Sequence, residues 1–140
     1  MANYICTFRT NYFGIKDKEF FDKFIATAKA QSEDINVYER DGKYMIGGYG
    51  SPALVYDPDN EFTADFPEDE NMFFEMLQKC VADDDAVIYK EAGYEKLRYI
   101  VLEACVITSE AMEFLNVDRQ LLDIASNLLE NEDWQTQLEY

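Results

Sequence analysis

The twelve residues from Leu97 to Thr108, LRYIVLEACVIT, constrain this chain more than any other stretch. β-Branched and aromatic residues dominate them, and Arg98 and Glu103 carry the only charges, so the run predicts a strand. Side chains alternate between the two faces of a strand. Leu97, Tyr99, Val101, Glu103, Cys105 and Ile107 share one face, and Arg98, Ile100, Leu102, Ala104, Val106 and Thr108 share the other. Both faces are largely apolar, which predicts a central strand covered on both sides, with Ile100, Val101, Leu102 and Val106 in the core. Glu103, if buried there, needs a partner from a neighbouring strand or a proton of its own. Catalysis is its alternative role.

The other elements follow from local signals. Ala2 to Thr10 reads as a first strand with Tyr4, Cys6 and Phe8 on one face. Asp17 is a plausible N-cap, after which Phe20, Phe21, Phe24, Ile25 and Ala28 recur at helical spacing as far as Ala30. Ile35–Arg40 and Lys43–Tyr49 flank Asp41-Gly42, the strongest short hairpin signal. Ala53 to Tyr56 suggests one more short strand, and Asp57 to Phe66 an acidic loop. Pro67 fits the first turn of a helix whose buried stripe is Phe73, Phe74, Met76, Leu77, Cys80 and Val81. Ala86 to Lys90 reads as a strand that turns at Ala92-Gly93 into the central one. Thr108 or Ser109 is expected to cap a short helix through Leu115. Asp118 is expected to cap a last one, with Leu121, Leu122, Ala125, Leu128 and Leu129 inward. Hairpin-linked strands with helices packed on them predict a single α+β domain over residues 1–140. Its sheet is mainly antiparallel, of about five strands, with three to four helices.

Charge and composition restrict function. Histidine is absent, which removes the commonest general base and most zinc sites. The net charge is −17, and two blocks hold all of the excess. Asp57 to Asp85 carries −10 and Glu110 to Tyr140 carries −7, while the remainder is neutral. Such a chain is repelled by nucleic acid and anionic membrane and attracted to basic surfaces. The many Phe and Tyr residues do not make it a single-strand binder, because no basic track accompanies them. No apolar run reaches ~18 residues, so no membrane span is expected. The opening lacks the charged start and apolar stretch of a signal peptide. Cys6, Cys80 and Cys105 are odd in number and embedded in apolar patterns, as free thiols of a cytoplasmic protein would be.

Two acidic motifs invite a metal test. Counted from Asp57, carboxylates fall where a calcium-binding EF-hand loop has them, but Phe62 stands where that loop needs Gly, and no amphipathic helix precedes it. Asp83-Asp84-Asp85 are adjacent, and three adjacent side chains cannot face one point in a helix or strand. Neither is taken as a metal site. Gly47-Gly48-Tyr49-Gly50 lacks the Lys, Ser or Thr of a phosphate-binding loop.

The opening Ala2-Asn3-Tyr4-Ile5-Cys6-Thr7-Phe8-Arg9-Thr10-Asn11-Tyr12-Phe13, followed by Lys16-Asp17, resembles a family of small acidic proteins from phages, plasmids and conjugative elements of Gram-positive bacteria. Gly48-Tyr49-Gly50-Ser51, Glu91-Ala92-Gly93, Val106-Ile107-Thr108-Ser109 and Asp133-Trp134 extend the similarity over most of the chain. The resemblance implies a mobile-element setting and a cytoplasmic location, and brings no catalytic motif with it. The expected function is therefore non-enzymatic binding of a basic protein. In one concrete form, carboxylates imitate phosphates and occupy the nucleic-acid channel of a host defence protein, as anti-restriction and anti-CRISPR proteins do. Asp59, Asp65, Asp69, Asp84, Glu130 and Asp133 are expected to join in one negative partner-binding surface. No catalytic residue, metal or cofactor is assigned, and the oligomeric state is left open. The alternatives are an immunity protein against a basic nuclease toxin, which demands the same charge, and an enzyme using carboxylates with a metal. The competing explanation of the charge is solubility alone.

Overall fold

Strict alternation builds the first strand, β1 (Ile5–Thr10), in which Cys6, Phe8 and Thr10 are buried and Ile5, Thr7 and Arg9 are exposed. The structure, a computed structural model, describes residues 4–32 and 34–138. The expected contributions of Ala2 and Asn3 to the first strand lie outside the described residues.

Helix α1 (Lys18–Gln31) starts at Asp17, whose carboxylate accepts the N–H groups of Glu19 and Phe20 and so satisfies two orphan donors of the first turn. Its buried side is Phe21, Phe24, Ile25, Thr27 and Ala28. Strands β2 (Ile35–Arg40) and β3 (Lys43–Tyr49) form the expected hairpin. Asp41 and Gly42 both take positive φ, 53° and 80°, as the tightest hairpin turns require. Helix α2 (Phe73–Cys80), strands β4 (Val87–Glu95), β5 (Tyr99–Ile107) and β6 (Met112–Asn116), and helix α3 (Val117–Leu128) complete the order.

The strands form one antiparallel sheet in the order β2-β3-β1-β4-β5-β6. The α+β class is as the sequence predicts, with six strands rather than about five, and three helices. Helices α1 and α2 share one face of the sheet. Phe24 meets Phe73 there at 5.3 Å between ring centroids, Phe8 stacks on Tyr89 at 5.6 Å, and Leu77, Val87 and Ile107 fill the same core.

Several expectations are corrected. Strand β5 is next to the edge, not central, and only one of its faces is covered. Cys105 and Ile107 are buried on the helix side, but Ile100, Leu102 and Val106 on the other face are exposed, and Val101 is half-buried. The expected core of this strand is therefore wrong, because no helix lies over that face. Ala92-Gly93 is not a turn, since β4 runs through it to Glu95 and turns at Lys96–Arg98. Ala53 to Tyr56 is not a strand. Leu54 is buried, but its N–H goes to the Asn71 side chain and that of Val55 to the Gln31 side chain, so no ladder forms.

Helix α2 begins at Phe73 and not at Pro67. Asn71 decides this: its Oδ1 accepts from Leu54 and Phe73, and its Nδ2 donates to the Pro52 carbonyl. Asp69 lies in the left-handed region at φ 63°, which no helix accommodates, so Glu68, Asp69 and Glu70 precede the helix rather than open it. The expected helix through Leu115 is strand β6. Thr108 does accept local N–H groups, from Glu110 and Ala111, but they close a tight turn, with the Thr108 N–H on the Ala111 carbonyl. The chain then pairs with the open edge of β5. Helix α3 is capped by Asn116, not Asp118, and none of its residues is fully buried: of the expected inward stripe Leu122 and Ala125 are half-buried, and Leu121, Leu128 and Leu129 are exposed.

Candidate functional site

The acidic loop is built on aromatic anchors. Phe62 packs on Phe20 at 5.4 Å and on Phe66 at 6.0 Å, and Thr63 is fully buried. Asp57 accepts the Asp59 N–H and Asn60 accepts the Phe62 N–H, turns that set the backbone locally. Asp59, Glu61 and Asp65 consequently stand outward on a loop held to α1. The position that an EF-hand reserves for Gly is thus an inward-facing aromatic anchor.

All six carboxylates named from the sequence are exposed. Asp59, Asp65 and Asp69 lie on the one segment between β3 and α2. Asp84 lies in the turn after α2, and Glu130 and Asp133 follow α3. The three residues of the Asp83-Asp84-Asp85 run diverge. Asp83 pairs with Lys16 at 3.0 Å, which lowers its pKa. Asp84 faces solvent, and Asp85 accepts the Gly14 and Ala86 N–H groups beside Lys43. The Gly14 N–H is the largest cause of a depressed Asp85 pKa. Among the described residues no group of three or more Cys, Asp or Glu side chains is arranged to hold a metal ion.

The buried carboxylate is one that sequence reasoning missed. Glu91 is 7% exposed and receives the Tyr89 hydroxyl at 2.6 Å, the Ser51 hydroxyl at 3.0 Å and the Tyr4 hydroxyl at 3.3 Å. Cys6 Sγ lies 3.5 Å from the Ser51 oxygen. Burial first, and then Glu91, push the phenols of Tyr4 and Tyr89 above their ordinary range, so both remain donors. Glu103, which would need a partner or a proton if buried, is exposed. It stands directly across the β4–β5 ladder from Glu91 and has no ion-pair partner among the described residues. Its pKa is raised, by desolvation first and by Glu91 second. The alternation in VIYKEAGYE, which puts Val87, Tyr89, Glu91 and Gly93 on one face, is the signal that could have found Glu91. Burial also pushes the Cys80 thiol up to about 12 and that of Cys105 to about 11, which leaves both protonated and poorly nucleophilic at neutral pH.

The other feature missed is the uncovered face of the sheet. Ile5, Ala92, Tyr94, Ile100 and Leu102 line an apolar groove there, and its floor continues to Arg9 and Lys90. These two cations are opposite each other in the β1–β4 register, and neither has an ion-pair partner among the described residues.

What these features define is a class by architecture: an acidic α+β protein with helices on one face of a six-stranded antiparallel sheet. No protein-family model, curated protein or solved structure matches the chain. No helix among the described residues is long and apolar enough to cross a membrane.

Proposed function

We propose that this chain is a non-enzymatic cytoplasmic protein of a mobile genetic element, acting through its carboxylates on a basic protein partner. In the form we favour it imitates nucleic acid and blocks a host defence protein. Asp59, Asp65, Asp69, Asp84, Glu130 and Asp133 would form the negative surface that the partner reads. One observation carries the reading, the anchored acidic loop. A solubilising loop has no need of fixed carboxylates, whereas a phosphate mimic does, because a pre-ordered surface loses less entropy on binding. The separation of the charge into two blocks supports the same reading, and the resemblance of the opening supports the setting.

Affinity capture from a Gram-positive host extract, followed by binding measurements on the purified partner, tests this. The expected partner is a nucleic-acid-binding protein from which DNA displaces this chain, with an affinity that falls steeply as salt rises. Reversing Asp59, Asp65, Asp69 and Asp84 to Lys together should weaken binding by at least about 100-fold without unfolding, since exposed substitutions cost little stability. A partner indifferent to salt and to the reversals would overturn the proposal.

A further inference from the structure

Two apolar surfaces of this chain lack partners, and they complement each other. One is the helix-free face of the sheet, where Ile100 is 65% and Leu102 54% exposed. The other is α3, on which Val117, Leu121, Ile124 and Leu128 recur at helical spacing along one stripe, with Leu128 81% exposed. An amphipathic helix with no fully buried residue gains little by forming alone.

We propose that these surfaces meet between two copies of the chain, each copy laying its α3 across the open sheet face of the other. Charge favours this pairing. Arg9 and Lys90 stand side by side on the open face, an unfavourable like-charge pair in a single chain. Helix α3 and the residues after it carry Asp118, Asp123, Glu130, Glu132 and Asp133 against Arg119 alone among the described residues. Dimensions agree as well. A twelve-residue helix is about 18 Å long and about 10 Å across. The nine-residue strands β4 and β5 run about 30 Å, and β1, β4 and β5 span about 10 Å from first axis to last.

The helix of the same chain leaves the face open. Only its first residue, Val117, borders the groove, beside Arg9, Lys90 and Leu102, while Leu121, Ile124 and Leu128 of its stripe stay exposed, as do Ile100 and Leu102. A two-fold exchange makes the contact twice, as an interface of the usual ~1,600 Å² needs and one short helix does not supply.

Sedimentation equilibrium of the full chain tests this. The expected mass at micromolar concentration is twice the 16.3 kDa of one chain. Leu102→Glu on the sheet and Ile124→Glu on the helix should each weaken association at least about 30-fold, with unchanged far-ultraviolet circular dichroism because both positions are exposed in the single chain. An equimolar mixture of the two variants should associate more tightly than either alone, since an intact helix then meets an intact sheet once per dimer. A wild-type chain that stays monomeric overturns the proposal, whether or not it binds neutral phospholipid vesicles. So does a dimer broken by only one of the substitutions, which would be sheet on sheet or helix on helix, or a mixture no tighter than its components.

Discussion

Glu91 and Glu103 are the same residue type, opposite each other on adjacent strands, and the fold treats them differently. Glu91 is enclosed with three hydroxyl donors, which is what a buried carboxylate without a cation requires. Glu103 is exposed, and the desolvation it does undergo, followed by its neighbour's charge, raises its pKa. A carboxyl with a higher pKa in the fold than in the unfolded chain favours the fold in its protonated form. The favourable contribution is thus full below the ordinary glutamate range and is lost as pH rises through the raised value. Replacing the charge should relieve a cross-strand repulsion worth a few tenths to about 1 kcal/mol. We therefore expect Glu103→Gln to melt about 1–4 °C higher than wild type at pH 7, with the difference gone near about pH 3.5, where Glu103 is protonated and as neutral as its replacement. Thermal melts at the two pH values decide it, and a pH-independent difference would assign the effect to packing.

Among the elements, β4 shows how a local signal misleads. Ala92-Gly93 looks like a turn because Gly is the usual turn residue, yet the strand continues through it. The reason lies on β1. A Cβ at position 93 would collide with the Tyr4 hydroxyl and with Cys6 Cβ, so glycine is present to let two strands and a Tyr side chain pass closely. Gly93→Ala should accordingly cost about 1–3 kcal/mol, the usual range for overpacking, as read from urea denaturation. A neutral effect would mean that β1 and β4 separate freely. The same register holds Cys6 opposite Gly93 and places Tyr4 within reach of Glu91, so a destabilised Gly93→Ala should disturb the hydroxyl cluster too.

For the molecule as a whole, the decisive property is that the sheet is covered on one side. Leu77 and Leu102 have the same side chain, but Leu77 is fully buried on the inner side of α2 and Leu102 is half-exposed on the open face of the sheet. Leu77→Ala should cost about 2–5 kcal/mol. Leu102→Ala, measured in solutions dilute enough to keep the chain monomeric, should cost less than about 1 kcal/mol. Equal losses would mean that something already covers the open face in the single chain. The one-sided arrangement also puts the anchored acidic loop, which packs on α1 on the helix side, on the opposite side from the apolar groove with Arg9 and Lys90, and leaves Glu130 and Asp133 common to both proposals.

Much of the fold was legible wherever the signal was local. The Asp17 cap with its Phe stripe, the Asp41-Gly42 hairpin and the alternation of β1 each rest on contacts within a few residues, and backbone geometry enforces them without help from the rest of the chain. Tertiary structure alone decided the remainder. Alternation sorts the residues of LRYIVLEACVIT into two faces, but it does not say whether a helix lies over each. Thr108 offers the same hydroxyl to a helix or to a turn, and the unpaired edge of β5 settles which. Asn71 starts α2 because Pro52 and Leu54, far away in sequence, present the groups it binds. Of the candidate site, the acidic residues were legible as charge, and the aromatic anchoring of their loop was not. Anchoring depends on Phe62 meeting Phe20, a contact between segments some forty residues apart that no local pattern encodes.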